Sequence, residues 1–306
     1  MRALIFLSLI TTIVFATDQA IERYESAQKA FERGEYNKAI DDYSAAIKLN
    51  PNAPVIYNAR GIAYFNLNDQ TKAIEDFNKA LSLDSKYADA RYNLANAYYQ
   101  LNDYKKAIEG YDQAIKLDPK RAEAYYNRGA AYLVLKEANK AIESYDQAIQ
   151  LKPNSARAYY ARGEAYRVLG DLHKALEDFD RAIKLDPKHA KAYGARGATR
   201  ANLNDNKAAI ADYDRAIELD PNSALTHYYR ASAYHQLGDL KKAIEGYDRS
   251  LALDPTYARA YSNRGSAYGQ LNSLPQAASD AKKACELGDC KLLEFMRKNE
   301  YLLIYL

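Results

Sequence analysis

Metal-binding and redox-active residues are scarce in this sequence. Its 306 residues include no tryptophan, two cysteines and four histidines. No HExxH motif or paired-cysteine spacing of a zinc site occurs. A glycine-rich phosphate loop, a GxSxG nucleophile turn and a cysteine–histidine pair are also missing. We therefore expect no metal, no cofactor and no catalysis, so the chain is predicted not to be an enzyme.

Charge of one sign and long apolar runs are equally scarce. The 43 Lys and Arg are interspersed with 40 Asp and Glu, so the net charge of +3 does not by itself indicate a partner. The apolar run from Ala3 to Phe15 is shorter than the about 20 residues that a membrane-spanning helix needs. The sequence therefore predicts no stable membrane span in the mature chain.

This apolar run is typical of a secretory signal peptide. It follows Met1-Arg2 and ends in small or apolar residues at Val14-Phe15-Ala16. We predict cleavage after Ala16 and a secreted or periplasmic protein. A retained anchor or an additional apolar helix is the alternative.

A period of 34 residues dominates the rest of the chain. One position of the period holds an unbroken series of alanines: Ala39, Ala73, Ala107, Ala141, Ala175, Ala209, Ala243 and Ala277. Another holds an aromatic series: Tyr43, Phe77, Tyr111, Tyr145, Phe179, Tyr213 and Tyr247. A third alternates between glycine and alanine: Ala27, Gly61, Ala95, Gly129, Gly163, Gly197, Ala231 and Gly265. Apolar residues recur at helical spacing in two runs per period, which predicts two amphipathic helices in each repeat.

The boundaries of these helices are marked by turn residues. Pairs such as Asn102-Asp103 and Gly170-Asp171 interrupt the period at its middle, where a tight turn is expected. Asp-Pro pairs such as Asp118-Pro119 end the second helix, because the residue before proline leaves the helical region. Each period is therefore predicted to be a helix–turn–helix unit.

The segment from Ala88 to Pro119 resembles a tetratricopeptide (TPR) consensus repeat, and the resemblance extends over about residues 20 to 291. It implies an exported bacterial-type TPR protein with an all-α fold, a right-handed α-solenoid (superhelix) of eight helix-turn-helix repeats. The expected boundaries are 1–16 for the signal peptide, 17–291 for the solenoid and 292–306 for an apolar C-terminal cap or assembly segment. The repeats are expected near 20–53, 54–87, 88–121, 122–155, 156–189, 190–223, 224–257 and 258–291.

Two further series are interpreted as structural. Glycines such as Gly163 inside the first helices are expected to let the paired helix approach closely. Arginine recurs one residue earlier, at Arg60, Arg128, Arg162, Arg196, Arg230 and Arg264. We expect each arginine to bind an aspartate on the second helix of the preceding repeat, rather than a ligand.

The resemblance implies that the first helices line a concave groove. Their register places tyrosine, asparagine and scattered charges along this groove. The candidate ligand-binding residues are Tyr24, Asn58, Tyr92, Asn93, Asn96, Tyr99, Tyr126, Asn127, Arg157, Tyr160, Arg167, Lys191, Tyr228, His235, Arg259 and Asn263. The carboxylate clamp known from chaperone-binding TPR proteins would need a lysine at the position of these tyrosines, and none is present.

The residue types favour an extended peptide or protein segment as ligand. Asparagine can bond a peptide main chain, and tyrosine supplies contact area at low entropic cost. The alternative is a single nucleic-acid strand, with about one base stacked per repeat on a tyrosine and phosphates bound by residues such as Arg157 and Lys191. The tyrosines can also be consensus filler that binds nothing.

The C-terminal end offers two interpretations. Residues Tyr301 to Leu306 are almost entirely apolar, so the segment either caps the last repeat or joins copies end to end into a filament. Cys285 and Cys290 flank Gly288 in the last repeat. In an exported protein they can form a disulfide if Gly288 turns the chain, and two free thiols are the equal alternative.

Overall fold

The computed structural model describes residues 18–299, and this part of the chain contains helices and short turns but no strand. The first helix, α1, covers 18–32 within it. The other helices are α2 (Tyr36–Leu49), α3 (Pro54–Asn66), α4 (Gln70–Leu83), α5 (Ala88–Gln100), α6 (Tyr104–Leu117), α7 (Ala122–Val134), α8 (Ala138–Leu151), α9 (Ala156–Leu169), α10 (Leu172–Leu185), α11 (Ala190–Asn202), α12 (Asn206–Leu219), α13 (Ala224–Gln236), α14 (Leu240–Leu253), α15 (Ala258–Gln270), α16 (Leu274–Glu286) and α17 (Lys291–Lys298).

The helices belong to two compact units that divide between Pro153 and Asn154. The first unit contains α1–α8 and the second α9–α17. In each unit the helices pair into hairpins, and the first helix of one hairpin also packs on that of the next, as α5 does on α3 and α13 on α11. The predicted all-α repeat architecture is confirmed.

The turn inside each hairpin repeats with the period of the sequence. The residue one or two positions after the first helix has a left-handed backbone, which glycine and asparagine adopt with least strain. These residues are Gly34, Asn68, Asn102, Lys136, Gly170, Asn204, Gly238 and Asn272. In five turns the next residue is an aspartate whose carboxylate accepts a hydrogen bond from the backbone N–H three residues later, as Asp103 does from Lys106 at 3.2 Å. The aspartate thus caps the second helix.

The core of each hairpin is built from alanines and one large ring. Ala39 and its equivalents on the second helices are fully or almost fully buried, which brings the backbones together. The aromatic series lies four residues further along the same helices, and Phe77, Tyr111 and Tyr213 are at most 1% exposed. Burial raises the pKa of Tyr111 and Tyr213 well above that of a free tyrosine. These rings therefore belong to the core.

In seven of the eight hairpins a glycine on one of the two helices allows close contact at the crossing. A Cβ added to Gly129 on α7 would lie 2.7 Å from Cε1 of Tyr145 on α8. In the third hairpin the arrangement is reversed, because Ala95 replaces the first-helix glycine and Gly110 stands on the second helix. A Cβ on Gly110 would lie 2.8 Å from Ala95 Cβ. In the third and seventh hairpins the glycine has therefore moved from the first helix to the second, whereas the first hairpin has Ala27 and Asp42, and so no glycine, at these positions.

The recurring arginines tie neighbouring second helices together. Arg128 binds Asp112 of the preceding hairpin at 2.6 Å. The equivalent pairs Arg196–Asp180, Arg230–Asp214 and Arg264–Asp248 have distances of 2.5 to 2.7 Å. Arginines also bind the second helix of their own hairpin, in the pairs Arg60–Asp76, Arg162–Asp178, Arg196–Asp212 and Arg264–Asp280. The expected bond to an aspartate of the preceding repeat is found for Arg128, Arg196, Arg230 and Arg264, and the partner in the same hairpin is an addition to it. The expectation is wrong for Arg60, because Ser44 stands at the position of the aspartate.

A short C-terminal helix caps the last hairpin. Leu293 and Met296 of α17 are buried against α16, and Leu292 packs on Gly265. The turn before α17 contains Gly288 at a φ of +97°, and Cys285 and Cys290 on either side are disulfide-bonded with 4.0 Å between their Cα atoms.

The predicted signal peptide and the apolar residues after 299 lie outside the described residues. Between residues 18 and 299, no helix combines the length and apolar character that a membrane crossing requires.

Candidate functional site

The tyrosines predicted to line the groove sit where first helices meet second helices. Each lies 5.6 to 6.0 Å, between ring centroids, from the core ring of its own hairpin, at tilted angles. The pairs are Tyr24–Tyr43, Tyr92–Tyr111, Tyr126–Tyr145, Tyr160–Phe179 and Tyr228–Tyr247. The core ring is buried and the groove tyrosine is half-buried, so one ring holds the other in a fixed orientation while part of it stays accessible.

Asparagines join these tyrosines across repeats. Asn127 Nδ2 donates to the Tyr92 hydroxyl at 3.0 Å and to Asn96 Oδ1 at 3.0 Å. Asn263 Nδ2 donates to the Tyr228 hydroxyl at 3.0 Å. These amides therefore bind the preceding repeat through their N–H groups, and their oxygens and the tyrosine hydroxyl hydrogens are the groups left to meet a ligand.

The spacing of these bonds could have been read from the sequence. The two residues of each pair are 35 positions apart, so one lies one residue further along its repeat than the other. Asn93 and Asn58 follow the same rule and are bonded at 3.0 Å. These side chains were predicted to face a ligand. Their bonds to one another were not predicted, because such bonds depend on the direction in which each side chain points.

The acidic residues at the start of the first helices are paired in the first unit. Asp89 on α5 accepts from Arg121, whose guanidinium also lies 5.2 Å from the centroid of the Tyr92 ring. Glu123 on α7 accepts from Lys152, and this bond lowers the Glu123 pKa. The acidic character of this row is therefore largely neutralised within the unit.

The second unit carries basic side chains at the equivalent positions of its first helices. Arg157, Lys191 and Arg259 are exposed in the first turns of α9, α11 and α15. Arg167 is half-buried and binds Glu164 of its own helix at 2.8 Å. The first helices of the two units therefore carry charges of opposite sign near their starts.

The remaining predicted residues, Tyr99 and His235, lie near the ends of their first helices. Tyr99 packs edge-on against Tyr104 at 5.2 Å. His235 Nε2 lies 2.8 Å from the Gln270 amide nitrogen, which is 35 positions later. Burial lowers the His235 pKa, so the imidazole is neutral at pH 7.

One open pocket lies at the start of the row, within the first unit. It has a volume of about 240 Å³ between α1, α2, α3 and the start of α5. Its lining residues are Tyr24, Gln28, Phe31, Glu32, Tyr43, Val55, Asn58, Ala59, Ile62 and Tyr87. The sequence analysis named Tyr24 and Asn58 but not the pocket. Between residues 18 and 299, no cluster of His, Cys, Asp and Glu is suitable for a metal ion.

Comparison with family models decides the family. The model described as TPR repeat matches residues 27–68, 63–102, 95–136, 199–238 and 231–272, which is more than half of the chain. A second model, Tetratricopeptide repeat, matches 122–155 and 156–189. The chain belongs to the tetratricopeptide repeat family. The chain is therefore a TPR protein-interaction scaffold, and proteins of this family are typically non-enzymatic.

Solved TPR structures are similar to this one. MamA is 31% identical with a TM-score of 0.52, over 57% of this chain and 95% of its own. YrrB, described as a TPR protein with an unusual peptide-binding site, is 27% identical with a TM-score of 0.53, over 60% of this chain and 95% of its own. A TPR protein from Parabacteroides merdae is 20% identical with a TM-score of 0.61, over 78% of this chain and 94% of its own, which supports the fold alone. No curated protein sequence matches significantly.

Proposed function

We propose that this TPR protein holds an extended peptide or protein segment along the row of first helices. Two tyrosine–asparagine pairs carry the proposal, Tyr92 with Asn127 in the first unit and Tyr228 with Asn263 in the second. Each pair offers a fixed ring face beside an amide oxygen that can accept from a main-chain N–H group. The two pairs belong to a tyrosine series that recurs with the 34-residue period, and a row that repeats in this way suits a linear ligand with a repeating backbone. The printed description of YrrB as peptide-binding supports the same class of ligand.

The charges of the first unit favour a peptide over a nucleic-acid strand. The cations Arg121 and Lys152 are already bound by Asp89 and Glu123, so they offer little free positive charge to a phosphate backbone, and the exposed Glu32 would repel it. The basic residues of the second unit, such as Lys191 and Arg259, are the feature that suits a nucleic acid. Peptide is therefore the proposed ligand, and nucleic acid is the competing outcome of the test.

Substitution of one groove tyrosine tests the proposal. A random peptide library is selected on the full chain, and the affinity of the selected peptides is compared between Tyr126→Ala and Tyr132→Ala. Both residues lie on α7, but the Tyr132 ring lies 5.4 Å from the ammonium of Lys140, a residue of α8 that is not among the groove residues. Tyr132→Ala therefore removes a ring of the same size outside the proposed binding row and serves as the matched control. We expect Tyr126→Ala to weaken binding by about 1 kcal/mol or more.

Two results would contradict a peptide function. One is a library that yields no ligand. The other is binding of poly-dT that falls steeply with salt and weakens by about 1 to 3 kcal/mol when Tyr126 or Tyr160 is replaced by alanine, which would assign the row to nucleic acid.

Export and assembly are further parts of the proposal. The apolar N-terminal sequence supports export with cleavage after Ala16, and mass spectrometry that finds residues 1–15 on the natural protein would refute it. End-to-end association is supported by Phe295 of α17, which is 58% exposed, next to the apolar sequence Tyr301 to Leu306. If the full chain and a chain lacking Tyr301 to Leu306 both sediment as monomers, the assembly proposal is wrong.

A further inference from the structure

The pocket in the first unit coincides with a gap in the tyrosine series. Five hairpins carry a groove tyrosine at the position that Asn58 occupies in the second hairpin. The shorter Asn58 side chain turns to the next repeat, where it donates to the Tyr87 hydroxyl at 3.4 Å and accepts from Asn93 at 3.0 Å. The space beside Tyr24 is left open. At about 240 Å³ it is smaller than pockets that enclose drug-sized molecules, and it suits a single side chain.

The lining of the pocket is aromatic and rich in hydrogen-bond acceptors. Tyr24, Phe31, Tyr43 and Tyr87 supply four rings, and Val55 and Ile62 are apolar. The hydroxyl and carbonyl oxygens of the polar lining residues can all accept hydrogen bonds. Glu32 is exposed at the rim and carries the only charge among the ten lining residues. A ligand group therefore meets ring faces and acceptors, with one negative charge and no positive one.

The titration of the tyrosines agrees with this arrangement. Burial, together with the nearby Tyr24 and Glu32, raises the pKa of Tyr43 to about 12. Burial, with Asp89 and Tyr24 as further contributors, raises the pKa of Tyr87. Burial, the main cause, opposes a charge of either sign, whereas the smaller contributions of Glu32 and Asp89 report a negative potential that disfavours an anion and favours a cation.

We propose that this pocket binds the side chain of a lysine or arginine of the peptide ligand, with its aliphatic stem against Val55 and Ile62 and its cation among the rings beside Glu32. The proposal rests on the proposed peptide function and names one determinant of its specificity. Ring faces attract cations through their quadrupole, and the carboxylate adds a charge-assisted hydrogen bond. An uncharged side chain would fill the space without satisfying Glu32, and an acidic one would be repelled by it.

Short peptides with one variable residue test this specificity on the full chain. The probes are end-blocked Ala-Ala-X-Ala-Ala peptides in which X is lysine, arginine, norleucine or glutamate, with affinity measured by calorimetry at low salt. We expect the lysine and arginine peptides to bind roughly tenfold more tightly than the norleucine peptide, and the glutamate peptide to bind most weakly. Norleucine has the stem of lysine without its charge, so this difference isolates the cation.

Three variants locate the effect. Glu32→Gln preserves the shape of the pocket and should reduce the preference for lysine over norleucine to below about threefold. Asn58→Tyr restores the residue of the other hairpins, fills the space and should remove lysine binding. Ser262→Tyr adds a tyrosine at the same repeat position of the last hairpin and should change nothing. If circular dichroism shows that Asn58→Tyr is misfolded, Glu32→Gln decides.

Equal binding of lysine and norleucine peptides, an unchanged preference in Glu32→Gln, or no binding of any pentapeptide would each overturn the cation pocket. The proposed function has a separate readout. Library peptides that bind the tyrosine row without any enrichment in lysine or arginine would leave peptide binding intact while refuting this pocket.

Discussion

Replacing Gly129 by alanine tests the one-sided helix crossing. The new Cβ would lie 2.7, 2.9 and 3.0 Å from Cε1, Cδ1 and Cζ of the Tyr145 ring. Overpacking of this kind costs about 1 to 3 kcal/mol, and the better helix propensity of alanine returns up to about 1 kcal/mol. We expect a net loss of about 1 to 2 kcal/mol, confined mainly to α7 and α8.

The seventh hairpin provides the compensating change. Its Arg230, Ala231 and Gly246 stand where the fourth hairpin has Arg128, Gly129 and Ser144. Ser144 is 1% exposed, accepts from Arg128 Nε at 3.1 Å and donates to the Lys140 carbonyl at 2.9 Å. Ser144→Gly alone loses these bonds and adds a helix-interior glycine, at a cost of about 1 to 2 kcal/mol.

The double variant Gly129→Ala/Ser144→Gly reproduces the natural crossing of the seventh hairpin. If the two substitutions were independent, their costs would add to about 2 to 4 kcal/mol. We expect the double variant to be at least about 1 kcal/mol more stable than that sum, because removal of the Ser144 side chain lets the helices shift around the new methyl group.

Native-state hydrogen exchange of the α7 and α8 amides is the appropriate assay. Repeat arrays unfold locally, so a single global unfolding energy does not describe them. All four forms of the cycle are compared, with the α3 and α4 amides as an internal reference. Strictly additive effects, or a Gly129→Ala variant as well protected as the parent chain, would refute the close-contact explanation.

Three further predictions follow from local features. Lys136 adopts φ +62° where other hairpins have Gly or Asn. In thermal unfolding, Lys136→Asn should stabilise the chain by up to about 1 kcal/mol, and Asn68→Lys should destabilise it by a similar amount. A lower melting temperature for Lys136→Asn would contradict this prediction. Burial lowers the pKa of His227, so the unfolded chain takes up the proton first and stability is lost as pH falls from about 6.5 towards the folded pKa. Tyr57 donates to the Pro51 carbonyl at 3.1 Å, and His227 Nε2 bonds the Pro221 carbonyl at the same distance one hundred and seventy residues later, at the equivalent repeat position. His227→Tyr should therefore keep the bond and lose most of this pH dependence in denaturant titrations, except for the part that comes from His235. An unchanged dependence of stability on pH would refute this prediction. Reduction of the Cys285–Cys290 disulfide should weaken the hydrogen-exchange protection of α17 by at most about 2 kcal/mol. A Cys285→Ala/Cys290→Ala variant should not respond to the reductant. Mass mapping that finds free thiols in the natural protein would exclude the disulfide.

The repeat architecture could be predicted because individual positions of the 34-residue period hold the same kind of residue in successive repeats. Turn residues such as Asn102 and Gly170 have the backbone that their chemistry indicates. The bonds of Arg128 to Asp112 and Arg264 to Asp248 were also expected. These features depend on helix register, which the sequence specifies directly.

The side-chain contacts that could not be predicted are those in which a residue has two possible partners and binds one of them. Arg162, Arg196 and Arg264 have an aspartate 16 residues away on either side. Arg60 has an aspartate, Asp76, only in its own hairpin, because Ser44 stands at the earlier position and accepts a hydrogen bond from Arg60 at 2.9 Å. Likewise, Asn58 departs visibly from the tyrosine series, but the pocket depends on its turning to Tyr87 and Asn93. The repeat pattern specifies the positions of these side chains but not the direction in which each one points.

The glycine at the helix crossing also constrains how a gene of this kind can recombine. An exchange of whole hairpins keeps each glycine with its own partner, as Ala231 with Gly246 or Gly129 with Ser144. An exchange between the two helices of a hairpin could join the Ala231 helix to the Ser144 helix and place two Cβ atoms at one crossing. Duplication in units of 34 codons is therefore best tolerated when the break falls in the Asp-Pro loops between hairpins.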